Sequence, residues 1–185
     1  MKNKVNRVRW AILHHSAVRI SVQPNQFWPI NNYHKEKWHF KSSLSLYGGY
    51  HFLIEADGKV KQYRAVSEEA AHCIGMNRKS IGICIAGNFS KEYPTSAQKT
   101  ALKGLLVGLM NKYSIPADHI VPHRHFSNTQ CFGTNLKDNF AQDLITKDAS
   151  DNVKIMLLKK QISIMSQLLK VYTKLLSLFK VGRSD

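Results

Sequence analysis

The period of the apolar positions changes several times along the chain, and each change marks an element. VRWAILHH (8–15) is a branched and aromatic run closing on His14 and His15, and it predicts a strand. INNYHKEKWHFKS (30–42) is polar but bears aromatics and predicts a short helix. YHFLIE and KVKQYR flank Ala56-Asp57-Gly58, so residues 50–64 predict a hairpin with Asp57-Gly58 supplying the turn chemistry. SIGICIAGN (80–88) is compact and β-branched, the pattern of a central strand buried on both faces. Over 94–114, Leu102, Leu105, Leu106, Leu109 and Met110 recur at helical spacing behind a Thr95 or Ser96 cap. HIVPH (119–123) predicts a short strand, a loop follows, and DNFAQDLIT (138–146) predicts another helix. Elements in this order predict the α/β class, a mixed central β-sheet flanked by helices.

KDASD (147–151) then breaks the composition. Beyond it Ile155, Leu158, Ile162, Met165, Leu169, Tyr172, Leu176 and Phe179 alternate three and four apart, a heptad seam. Leu157, Ile164, Leu168, Val171, Leu175 and Leu178 widen the apolar face, and lysines 159, 160, 170, 174 and 180 fall on the polar one. The expected organisation is a first domain over 1–147, a linker at 148–152, a basic amphipathic helix over 153–181 and a tail at 182–185. Such a helix can pack on its own domain, pair with copies of itself, or lie on an anionic membrane or lipopolysaccharide surface.

Charge narrows the class of partner. The 185 residues carry a formal net charge of +15, which points to an anionic partner, while 43% hydrophobic residues suffice for one real core. No basic-aromatic stacking motif or recognition-helix pattern accompanies that charge, so specific nucleic-acid binding is not expected. Cys73, Cys84 and Cys131 are too few and too unevenly spaced for a disulfide framework; Cys73 and Cys84 read as small buried hydrophobes. The first residues read as neither a signal peptide nor a membrane span. That reading places synthesis in the cytoplasm and requires release before any action on a cell wall.

The densest chemistry is HIVPHRHFSNTQCFGTN (119–135). A catalytic zinc site needs three protein ligands and one open position, and strand ends hold ligands well. His14 and His123 stand at the ends of two predicted strands, with Cys131 in the loop eight residues on. They make a three-ligand set, in competition with surface histidines and a plain buried thiol. His125, two residues from His123, is the rival ligand, whereas alternation sends His15 away from His14.

Four stretches in order, ILHHSA (12–17), GGYHFLIEADGKV (48–60), AAHCIGMNRKSIGICIAGNF (70–89) and VPHRHFSNTQCFG (121–133), resemble the zinc-dependent N-acetylmuramoyl-L-alanine amidases of the phage lysozyme and peptidoglycan-recognition-protein type. The resemblance implies one zinc ion held by His14, His123 and Cys131, and hydrolysis of the amide between N-acetylmuramic acid and L-alanine in peptidoglycan. It also implies Tyr50 beside the attacking water, Thr129 facing the developing oxyanion, and His72 near the groove in contact with substrate. Trp28, Trp38 and Tyr33 are candidates for a groove wall. Two positions depart from the family pattern: Phe132 stands where CPG has proline, with the groove as one possible place for its ring, and His125 stands where HRD has an acid. An endolysin is the expected function. The alternative is a recognition module that binds peptidoglycan without cutting it; retention of Cys131 favours the enzyme.

Overall fold

The computed structural model describes residues 8–181, and side chains over 8–146 and 156–175. Readings that rest on the first seven residues, on the tail at 182–185, or on the side chains of Ile155, Leu176, Leu178, Phe179 and Lys180 lie outside the described residues. The elements in chain order are β1 (Trp10–His15), α1 (Phe27–Trp38), β2 (Phe52–Ile54), β3 (Val60–Gln62), β4 (Ser80–Ile85), α2 (Ser96–Tyr113), β5 (Ile120–Pro122) and α3 (Phe140–Val181), with single 3₁₀ turns at Ala117–His119 and His123–His125.

The strands form one sheet in the order β3-β2-β4-β1-β5. β3 is antiparallel to β2, and β2, β4, β1 and β5 are mutually parallel. This is the mixed sheet flanked by helices that the pattern predicts. β4 is central and buried at all six positions, which is why its sequence is a nearly unbroken apolar run.

Alternation along the strands sorts the two faces. Ala11, Leu13, Ile81, Ile83, Ile85, Phe52 and Ile54 point to one face and pack with Leu102, Leu106 and Leu109 of α2. The other face carries Ile12, Leu53 and Cys84 in smaller clusters. In register, His14 lies across from Cys84, and Leu53 from the same Cys84, so a histidine stands in an otherwise apolar row.

α2 starts where its capping box dictates. The Thr95 hydroxyl accepts the Gln98 N–H at 3.0 Å, and the Gln98 side chain accepts the Thr95 N–H at 3.1 Å. α1 begins three residues before the predicted span because a remote residue caps it. The buried Glu55 carboxylate accepts the N–H groups of Gln26 and Phe27 at 2.9–3.2 Å, placing an anion at the positive end of the helix.

The two C-terminal helices read from the sequence are one, α3. The expected linker at 148–152 is helical, because KDASD interrupts the apolar pattern but brings neither glycine nor proline. By contacts the chain divides into two units, Met1–Ile145 and Thr146–Asp185. No described helix is long and apolar enough to cross a membrane.

Candidate active site

Parallel register brings the two strand-end histidines together. Leu13 pairs with Pro122, so His14 and His123 leave the C-terminal ends of adjacent strands side by side, with ring centroids 4.4 Å apart. Cys131 returns from the following loop, its Sγ 3.6 Å from His14 Nδ1. One donor atom from each of the three residues lies within 4.8 Å of the others. The rivals fall elsewhere. His125 is exposed and packs on Trp10 and Phe126. His15 faces away and accepts the Phe89 N–H through Nδ1 at 3.1 Å.

The donor set fits zinc. A thiolate and an imidazole held at about 2.3 and 2.05 Å by one tetrahedral zinc stand about 3.6 Å apart. That is the separation found between Cys131 Sγ and His14 Nδ1. Two imidazoles and one thiolate also leave the fourth position open for water or substrate.

Hydrogen bonds behind His14 decide which of its nitrogens is free. Ser80 Oγ lies 2.7 Å from the Met76 carbonyl, which can only accept, so the hydroxyl proton goes there. Ser80 Oγ must then accept from His72 Nε2, 3.3 Å away. This leaves His72 Nδ1 bare to accept from His14 Nε2–H at 2.9 Å, and His14 Nδ1 bare toward Cys131. Burial holds both imidazoles well below the usual histidine pKa, with neighbouring histidines adding to the shift, so both are neutral as the chain of donors requires. Asn77 fixes the start of this support: its Oδ1 accepts the N–H groups of His72 and Cys73, each at 2.9 Å.

The cysteine loop is braced by Arg124. Its guanidinium donates to the carbonyls of Gly133 (2.8 Å) and Leu136 (2.6 Å) and to the Asp138 carboxylate (2.6 Å). Its backbone N–H donates to the Cys131 carbonyl at 3.0 Å. Burial pushes the Cys131 thiol up to about 11, opposed by the His15 backbone N–H and by the charge of Arg124.

Tyr50 completes the centre, its ring 5.0 Å from that of His14. Burial raises its pKa well above the phenolic range, and the nearby thiols of Cys84 and Cys131 add to the shift. The two glycines before it are required by space. A Cβ at Gly48 would sit 2.1 Å from the Tyr63 ring, and one at Gly49 would sit 2.4 Å from the Ala71 carbonyl oxygen. His34, which the sequence did not single out, accepts the Gly49 N–H at 2.8 Å and lies against Trp38, the two rings tilted with centroids 4.5 Å apart. His14, His123 and Cys131 line a cavity of about 460 Å³ together with Tyr50, His72, Trp38 and Ile74. A second cavity of about 440 Å³ adjoins Tyr50 from the side of Tyr33, His34 and Ser16.

The sequence pattern of the N-acetylmuramoyl-L-alanine amidase family matches residues 4–134. The chain belongs to that family. Among its relatives, peptidoglycan-recognition protein SC2 of Drosophila melanogaster is 35% identical over 136 residues, 71% of each chain. The endolysin of Escherichia phage T7 is 37% identical over 118 residues, covering 60% of this chain and 76% of its own. Of solved structures, the N-acetylmuramoyl-L-alanine amidase LysC from Clostridium intestinale superposes with a TM-score of 0.63 at 29% identity, covering 76% of this chain and 85% of its own.

Within this amidase family, the departures noted in the sequence acquire physical accounts. Phe132 does not line the groove. It is fully buried in the main core near Phe140, with the Arg124 guanidinium 5.5 Å from its ring. His125 brings no acid to the loop, and the carboxylate that braces Arg124 here is that of Asp138, at the start of the next segment. Thr129 accepts the Cys131 N–H at 3.2 Å, leaving its hydroxyl proton to donate elsewhere. His72 lies on the cavity wall with both ring nitrogens engaged inside the protein. Trp38 and Tyr33 border the two cavities, whereas Trp28 lies in a separate depression beside Glu55 and Lys61.

Proposed function

We propose that this protein is a zinc-dependent N-acetylmuramoyl-L-alanine amidase that degrades peptidoglycan as an endolysin does. The observation that carries the reading is the convergence of His14, His123 and Cys131 at one cavity, at zinc-compatible spacing and beside Tyr50. His14 through Nδ1, Cys131 through Sγ and the imidazole of His123 would hold the ion. When bound, zinc supplies a Lewis acid for the scissile carbonyl and eases ionisation of water at neutral pH.

The remaining work belongs to the chain's own groups. Tyr50, held as a phenol, hydrogen-bonds and orients the attacking water. Thr129 donates its free hydroxyl proton to the oxyanion, contributing a dipole where a lysine would contribute a full charge. Hydrolysis adds the water oxygen to the lactyl carbonyl carbon, breaks the C–N bond and frees the amino group of L-alanine. Trp38 and Ile74 offer apolar walls against which the peptide can lie.

The test is mass spectrometry of purified sacculi incubated with the protein, with and without a zinc chelator. Free stem peptides beginning with L-alanine, formed only when zinc is available, are the expected products. No release by zinc-loaded protein from sacculi of several chemotypes would replace this reading with a recognition module. Cys131→Ala is expected to abolish zinc retention and hydrolysis together; an active, metal-free variant would overturn the ligand assignment.

A further inference from the structure

The second unit carries an apolar face that the catalytic reading leaves unused. Between 156 and 175 Ile162, Met165 and Leu169 are 68%, 69% and 63% exposed, and Leu158, Leu168 and Tyr172 are exposed beside them. At about 100° per residue, every apolar residue of this stretch except Met156 falls within an arc of about 180°, running from Val171 to Ile162 and interrupted only by Gln161. The opposite arc carries Lys159, Lys160, Lys170 and Lys174, spaced by serine, threonine and glutamine. No aspartate or glutamate occurs between Asp151 and Asp185.

Outside its own chain, two occupants suit an apolar helical face: a second copy of the helix or a lipid surface. The arc is far wider than the two-position seam of a paired coil. Pairing the apolar faces of two copies would leave the lysines on the outer sides in solvent, with no acid in either helix to balance their charge. Acyl chains beneath anionic headgroups satisfy both arcs at once, and the lysines interrupt the apolar sequence too often for the helix to span. We propose that the 156–175 segment of α3 lies along the surface of an anionic phospholipid bilayer, its apolar arc at the acyl boundary and its lysines at the phosphates. The inference stands whether or not the first unit hydrolyses peptidoglycan.

Vesicle flotation of the full chain at physiological salt tests it, comparing mixed phosphatidylglycerol–phosphatidylcholine vesicles with phosphatidylcholine alone. Binding is expected to the anionic vesicles, at least about tenfold above the neutral ones. Leu158→Ser/Met165→Ser/Leu169→Ser leaves the net charge untouched and is expected to reduce binding at least about tenfold by removing the apolar arc on its Ile162 side. Lys159→Gln/Lys170→Gln/Lys174→Gln is expected to cost about a hundredfold, at about fivefold per lysine near the surface. Thermal unfolding of each variant checks that the first unit is intact.

Flotation of the triple serine variant equal to wild type would overturn the proposal, by showing that the basic first unit binds through charge alone. So would absence of wild-type binding, or binding only to lipopolysaccharide. Concentration-dependent oligomers that the serine substitutions dissolve, without vesicle binding, would assign the face to a second copy instead.

Discussion

The sharpest consequence of the geometry concerns residues that never touch the zinc position. The hydroxyl-to-imidazole chain from Met76 through Ser80 and His72 leaves His14 Nδ1 bare as donor. His72→Phe keeps an aromatic ring in the space and removes the acceptor. The His14 Nε2–H, on a residue only 2% exposed, then has no partner. Leaving such a donor buried costs about 1–3 kcal/mol. Loss of a ligand's outer partner lowers metal affinity by about 10–100-fold, the same energy range expressed as binding. Ser80→Ala acts one step further back: His72 can then take the other tautomer, which presses a proton onto His14 Nδ1. About 0.5–1.5 kcal/mol is at stake there, or about 2–10-fold in affinity. Gly82→Ala approaches from a third side, since a Cβ would come within 2.5 Å of the His72 ring. Competition for zinc against a chromogenic chelator, with each variant's unfolding temperature checked, reads all three. Wild-type zinc affinity in folded His72→Phe and Ser80→Ala proteins would refute the tautomer argument.

Other substitutions test the scaffold around the site. Arg124→Ala removes charged hydrogen bonds to two loop carbonyls and Asp138; a loss of about 2–3 kcal/mol in urea unfolding and weaker zinc retention are expected, and an unchanged midpoint would show that the loop braces itself. Leu106→Ala opens a cavity at a fully buried position of α2, with an expected cost of about 2–5 kcal/mol; a cost below about 1 would mean that the core collapses around it. His51 is fully buried, accepts the Gly82 N–H through Nδ1 and donates Nε2–H to the Glu68 carbonyl; burial lowers its pKa to about 4 from 6.5. Since the unfolded chain takes that proton first, the contribution of His51 is complete above pH 6.5 and drains as pH falls toward 4, by about 3 kcal/mol in all. Unfolding free energies measured from pH 7 to 4.5 should show a shallower slope for His51→Gln than for wild type, and equal slopes would remove His51 from the account.

What was legible in the sequence followed local periodicity. β4 announced itself as a run of branched residues, α2 by its leucine spacing behind a Thr95 or Ser96 cap, and the hairpin by Asp57-Gly58. His14 and His123 were legible as strand ends, and alternation set His15 apart from His14. What remained hidden was carried by partners distant in the chain. Nothing near Gln26 says that α1 starts there, because its cap is the Glu55 carboxylate, 29 residues on. Nothing in CFG says that Phe132 is core, because Phe140 and Arg124 create that environment only after the loop closes.

The stretch from Ala70 to Gly82 shows how the two kinds of information combine. By period it is a loop running into a strand, and by resemblance a motif, but neither reading says what the motif builds. In the fold three of its residues make a seat for a fourth. Asn77 fixes the His72 backbone, Ser80 takes the proton on its Nε2, and Gly82 leaves room for its ring. The seat exists because strand alternation puts Ser80 and Gly82 on the face of β4 that looks toward His14. The motif therefore specifies the donor atom of a residue 58 positions upstream of His72. Local sequence determined every part of the seat, and only the parallel pairing of β1 with β4 gave the parts a common purpose.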